Sequence, residues 1–209
     1  MRLRVTVVAV FGLASLPLLA DSIPYPNVGT VAPTNIFQAN STGIIMGYFA
    51  GADAADTDFV RMCDDTTNVC SAWAFDNHAT APGASVDFGS VNAGDTLEFQ
   101  LYNWSTNLVY SSNPANSADG INHAYATTYS DTGHPALPAS IPSGMFVGME
   151  DLGDFCQGCT DLDYNDDTFV FTNVATTATP EPATTAVLAL GFAVLGIASR
   201  RRLARQSAK

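Results

Sequence analysis

Residues 92–102 read Asn-Ala-Gly-Asp-Thr-Leu-Glu-Phe-Gln-Leu-Tyr. From Thr96 to Tyr102 polar and apolar residues alternate, so an extended backbone puts Leu97, Phe99 and Leu101 on one face and Glu98 and Gln100 on the other. Asn92-Ala93-Gly94-Asp95 supplies the turn before this strand. The same texture recurs on both sides. Runs rich in Val, Phe, Tyr and Thr at 44–49, 59–63, 72–75, 85–88, 123–128, 145–150 and 168–172 are separated by Gly, Asn, Asp, Pro and Ser clusters. No stretch reads as a long amphipathic helix, and no internal repeat occurs. Eight or so short strands within roughly 140 residues predict an all-β domain, an antiparallel β-sandwich or jelly roll.

The chain of 209 residues has room for one such domain and two tails. Its formal charge of −12 conceals an asymmetry, because all but one of the basic residues sit at the ends. Between Asp21 and Thr179 nineteen acidic residues face a single Arg61, a formal −18. That potential repels nucleic acid and anionic membranes and excludes nucleic-acid binding. For scattered acidic residues such as Asp53, Asp56 and Asp58 the expected role is solubility.

Carboxylates concentrate between Met149 and Phe171, MEDLGDFCQGCTDLDYNDDTFVF. In an extended segment Asp161, Asp163 and Asn165 alternate with Leu162 and Tyr164, so three oxygen-bearing side chains share one face. Asp166 and Asp167 follow at once, and Glu150 and Asp151 precede. Carboxylates this crowded repel one another unless a hard cation or solvent compensates them, and calcium accepts such oxygens. The expected metal set is therefore Glu150, Asp151, Asp161, Asp163, Asn165, Asp166 and Asp167. The Asp-x-Asp-x-Asn spacing matches the start of an EF-hand loop, but Asp166 stands where that loop needs glycine, and flanking helices are lacking. The competing expectation is that Asp163 and Asn165 cap turns while Asp166 and Asp167 are solvated.

The runs GMEDL and DLDYNDDTFVF resemble the signature of a calcium-associated β-sandwich domain of bacterial surface and secreted proteins (DUF4114-like). Met149 stands where an aromatic is common, and Cys156-Gln157-Gly158-Cys159 replaces a glycine-rich connector. The segment Asp119-Gly120-Ile121-Asn122-His123-Ala124 is similar to one that precedes the acidic loop in that domain type, which implies that His123 lines the region near the cation. His78 and His134 read as loop or strand-end residues.

Four cysteines allow three pairings. Local pairing, Cys63 with Cys70 and Cys156 with Cys159, is the favoured expectation. A redox role for Cys156 and Cys159 would need a βαβ setting and a base, and a four-cysteine zinc site would need two Cys-x-x-Cys knuckles.

The first twenty residues, with Arg2 and Arg4 before an apolar run from Val5 to Leu19, read as a secretory signal peptide cleaved after Ala20. No cysteine precedes Cys63, so a lipoprotein reading fails. At the other end a Thr/Ala/Pro linker leads to Pro180-Glu181-Pro182, an apolar segment over 183–199 and Arg200-Arg201-Arg202. This combination resembles the PEP-CTERM sorting signal. The resemblance implies an exosortase-type membrane protease as partner and a bacterium that makes exopolysaccharide or biofilm. The arginines would hold the tail in the cytoplasm, with 183–199 as a single hydrophobic helix anchoring the chain in the inner membrane. A permanent anchor with a proline-rich stalk is the other reading.

The expected organisation is a signal peptide (1–20), a β-sandwich domain (21–174) with its acidic loop at 149–167, and a linker with sorting segment (175–209). The expected role is a calcium-stabilised structural or adhesive component of the cell surface or extracellular matrix, without catalytic residues. One rival is a calcium-dependent carbohydrate-binding module stacking sugars on Trp73, Trp104, Tyr102 or Tyr110, for which exposure of Trp104 discriminates. Another is a glycan hydrolase using a carboxylate pair such as Glu150 with Asp163.

Overall fold

A computed structural model of the chain describes residues 23–132, 137–155 and 160–178. Eleven strands run through them: β1 (Asn35–Ala39), β2 (Gly43–Ala52), β3 (Asp58–Asp64), β4 (Val69–Cys70), β5 (Ser85–Val91), β6 (Thr96–Asn103), β7 (Leu108–Ser111), β8 (Ala124–Tyr129), β9 (Gly144–Met149), β10 (Asp167–Phe171) and β11 (Val174–Ala178). They make two antiparallel sheets. One has the order β11-β1-β6-β3-β4 with β7 also on β6, and the other β5-β2-β10-β9-β8. The expected antiparallel sandwich is the architecture found.

The alternation read in β6 does what it predicts: Leu97, Phe99 and Leu101 are buried against the second sheet. Opposite them β10 sends Phe169 and Phe171 inward, and the rings of Phe99 and Phe171 stack across the interface with centroids 4.1 Å apart. Each large apolar side chain so buried contributes about 1.5–3 kcal/mol. A second apolar cluster, with Phe146, Val170, Tyr129 and Ile141, covers the outer face of the β5–β8 sheet.

Three departures from the sequence reading are structural. β1 and β7 were not among the expected strands, and they divide one edge of β6, β1 pairing with Thr96 and Leu97 and β7 with Gln100 to Asn103. Residues 72–75 make only one bridge, Ala74 to Val60. Residues 175–178, expected to begin the linker, belong to β11, which pairs with the whole of β1. Their Thr/Ala composition reads as a linker, but Val174 is sunk in the core and draws the strand in.

Cys63 and Cys70 are bonded and stand opposite each other in the β3–β4 hairpin, as expected. The signal peptide with Ala20, His134, Cys156, Cys159, Pro180 to Pro182, the apolar 183–199 helix and Arg200 to Arg202 all lie outside the described residues.

Candidate metal centre

The acidic residues gather at one end of the sandwich, where β3 and β10 begin and β2, β6 and β9 end. Register fixes this: Asp167 pairs with Ala52 of β2 and Met149 of β9, and Asp58 pairs with Asn103 of β6. Parity fixes the direction of the side chains. Asp167 shares a face with Phe169 and Phe171, and Asp58 shares one with Val60 and Met62, so both carboxyl groups point between the sheets.

The loop from 160 to 166 lies on this end, held by a tyrosine. Tyr164 is buried, and its hydroxyl accepts from the Ala32 N–H (2.7 Å) and donates to the Asn122 carbonyl (3.1 Å). Its ring packs edge-on to Tyr25. Gly148 of β9 allows the close approach, since a Cβ there would lie 2.2 Å from the Tyr164 carbonyl oxygen. Leu162 and Tyr164 have φ of 52° and 58°, so the segment is not extended throughout, as the one-face reading of its alternation required. The left-handed turns replace simple alternation in deciding which side chains meet.

Glu150, Asp161 and Asp163 each bring one carboxylate oxygen to within 4.8 Å of the others. Thr160 Oγ1 donates to Glu150 Oε2 (2.5 Å) and the Tyr164 N–H donates to Oε1, so both oxygens of this buried carboxyl already accept hydrogen bonds. Burial, and secondarily the neighbouring Asp166, push Glu150 up to about 7. Burial also raises Asp163. Asn165 lies beside Asp163, its side-chain amide donating to Asp163 Oδ2 (2.7 Å) and bracing that carboxylate.

A second group lies deeper. Asp58 interacts with Asp151 and Asp167, and Asp151 in turn with Asp166, side chain to side chain. Burial is the first cause of the upward shift in all four, with mutual repulsion adding to it. Asp58 and Asp151 are pushed up to about 7 and Asp166 to about 8, and Asp167 is raised well above the usual carboxylate range. Asp151 N–H donates to Asp166 Oδ2 (3.0 Å), and Asn77 donates to Asp58 Oδ2 (3.2 Å). A cleft of roughly 380 Å³ opens over this end, walled by Asp53, Asp56, Glu150, Asp151, Asp161 and Asp166 among others.

Asp58 is the residue that sequence reasoning missed. Expected to be a solvated surface charge, it is fully buried. Asp56 is tied by Asn103 Nδ2 (2.8 Å), which also donates to the Asp151 carbonyl (2.9 Å). The missed signal was one of parity. The expected strand began at Phe59, and starting it one residue earlier places Asp58 on the face of Val60 and Met62.

His123 is buried beside the site, with Nδ1 3.2 Å from the Glu150 carbonyl and Nε2 3.0 Å from Asp119. Asp119 also accepts from the Asp154 N–H (2.9 Å), which fastens the chain following Glu150. Tyr110 is buried and stacked on His123, so it is closed to the sugar stacking considered for it.

Among the described residues the only Lys or Arg is Arg61, and it is engaged elsewhere, bonded to Gln100 (2.8 Å) and lying 4.3 Å over the Trp73 ring. The carboxylates of the centre therefore have no fixed cationic partner. Their donor set is oxygen only and anionic, which fits a hard cation such as calcium rather than a thiophilic metal.

Comparison with known families finds the PEP-CTERM protein-sorting motif over residues 178–202. This motif implies an exported protein, transiently anchored through its C-terminal segment and processed by an exosortase-type membrane protease. No curated protein and no solved structure matches the chain.

Proposed function

We propose that this exported domain binds calcium at its acidic end and serves as a structural or adhesive component at the cell surface or in the extracellular matrix, with exopolysaccharide as its surroundings. The observation that carries the reading is the meeting of Glu150, Asp161 and Asp163, brought together by the loop that Tyr164 anchors. Asp161 and Glu150 line the cleft, Glu150 held in place by Thr160, and Asp163 brings its oxygen to the same point. The resemblance of the acidic motif to a calcium-associated β-sandwich domain agrees with this arrangement. Calcium would supply the positive charge that the domain itself does not place there.

Thermal unfolding of the full chain in mild detergent, with millimolar calcium and with chelator, tests it. At a free concentration about 100 times the dissociation constant the ion should add about 2.7 kcal/mol. Equal midpoints refute calcium binding.

A carbohydrate-binding reading is favoured by one specific observation. Trp104 is 65 % exposed, and it continues an aromatic row with Tyr102 (centroids 6.0 Å apart) and Trp73 (5.5 Å from Tyr102) on the outer face of the β6 sheet. Large exposed indole faces suit stacking on sugar rings. A glycan array run on the wild type and on Trp104→Ala, each in calcium and in chelator, decides whether this row binds sugars and whether binding needs the ion.

A further inference from the structure

We propose that Asp58, Asp151, Asp166 and Asp167 form a second, interior site for a hard divalent cation of the calcium type, separate from the Glu150–Asp161–Asp163 site and bridging the two sheets. Crowded carboxylates alone would not carry this. What does is that Asp58 Oδ1 and both oxygens of Asp167 are buried and receive no hydrogen bond from any N–H or hydroxyl among the described residues, so as carboxylates they face only other carboxyl groups. Asp58 is 0 % and Asp167 1 % exposed. Native structures almost never leave such atoms unpaired, because each costs about 1–3 kcal/mol, and more when charged.

The other groups around them add no positive charge. Asp58 faces Asp151 and Asp167; its other oxygen takes one amide hydrogen from Asn77. Asp167 faces Asp58, Asp151 and Asp166. Replacing water around these oxygens requires protons or a cation, and a divalent ion can satisfy several orphaned lone pairs at once. Access is provided too. Asp151 and Asp166 belong both to the cleft wall and to the interior group, so a hydrated ion reaches them from solvent before passing to Asp58 and Asp167. Asp58 lies in β3 and Asp167 in β10, so an ion held between them joins the two sheets.

The proposal stands without the outer site, and one experiment separates them. Calcium is titrated into the full chain in mild detergent and counted by native mass spectrometry, for the wild type, Asp58→Asn and Asp163→Asn. The wild type should hold two ions and each variant one. A wild type with a single ion that survives Asp58→Asn and is lost in Asp163→Asn overturns the interior site and leaves the outer one standing. A single ion with the opposite pattern upholds the interior site and removes the outer one. No ion in any protein overturns both. Should Asp58→Asn fail to fold, Asp167→Asn probes the same site from the other sheet and is read in the same way.

Discussion

Asp58 opens β3 in one sheet and Asp167 opens β10 in the other, and their carboxyl groups meet inside the sandwich with no basic residue beside them among the described residues. The end of the core that would otherwise be closed by apolar side chains is closed by acids, so the stability of this end is set by what neutralises them.

The first consequence is a pH dependence of unusual sign. Asp58, Asp151 and Glu150 are raised to about 7 and Asp166 to about 8, from unfolded values near 3.8 for aspartate and 4.5 for glutamate. A carboxyl raised on folding holds a proton that the unfolded chain has released, so its contribution is intact below the unfolded value and lost as pH climbs through the folded one. In chelator, stability should fall by a few kcal/mol between about pH 5 and about pH 8. Denaturant midpoints at several pH values measure this. Calcium should flatten the curve, and binding near neutral pH should release protons, seen as a buffer-dependent heat. A chelated protein that is more stable at about pH 8 than at about pH 5 would contradict the assignment.

Tyr164→Phe removes one hydroxyl that serves two backbone groups. The Ala32 N–H and the Asn122 carbonyl would be left without it in a buried setting, at a cost of about 1–3 kcal/mol. Because the same side chain fixes the loop carrying Asp161 and Asp163, calcium affinity should drop as well. Retained affinity with lost stability would mean that the loop is positioned by its other contacts.

For the hairpin disulfide, the double variant Cys63→Ser/Cys70→Ser should lose about 2 kcal/mol, the low end for a bridge that closes so short a loop. Non-reducing peptide mapping should also find Cys156 joined to Cys159. Two free thiols there would revive a redox or metal role for that pair.

Processing of the tail follows from the sorting motif over 178–202. In a host with the protease, mature protein should end near Pro180 to Pro182, and Glu181→Ala should stay in the membrane uncleaved. Mass spectrometry of surface-released protein that still carries Arg200 to Lys209 would rule the assignment out.

Period-two alternation made the sandwich legible, because β6 and β10 state their buried faces in their own residues. The acidic loop was legible as a concentration of ligands for the same reason that it is acidic: local composition suffices. Local composition could not bring in Asp58, 109 residues before Asp167 in the sequence, since only the packing of β3 and β10 in facing sheets brings the two together. The left-handed turns at Leu162 and Tyr164 were equally hidden, being imposed by contacts with Ala32, Asn122 and Gly148 rather than by local preference. β11 was missed because threonine and alanine look the same in a stalk and in an edge strand.

That edge strand has a mechanical meaning. The sorting motif begins at Ala178, the last residue of β11, so any tension between membrane and domain enters the fold there. Among the described residues β11 pairs only with β1, and a pull on its far end would open the pairs from Ala178↔Asn35 toward Val174↔Ala39 in turn. Peeling would halt at Val174, whose side chain is locked in the core. Under such a pull the last described strand would lengthen the tether by a few residues before the load reached the core of the sandwich.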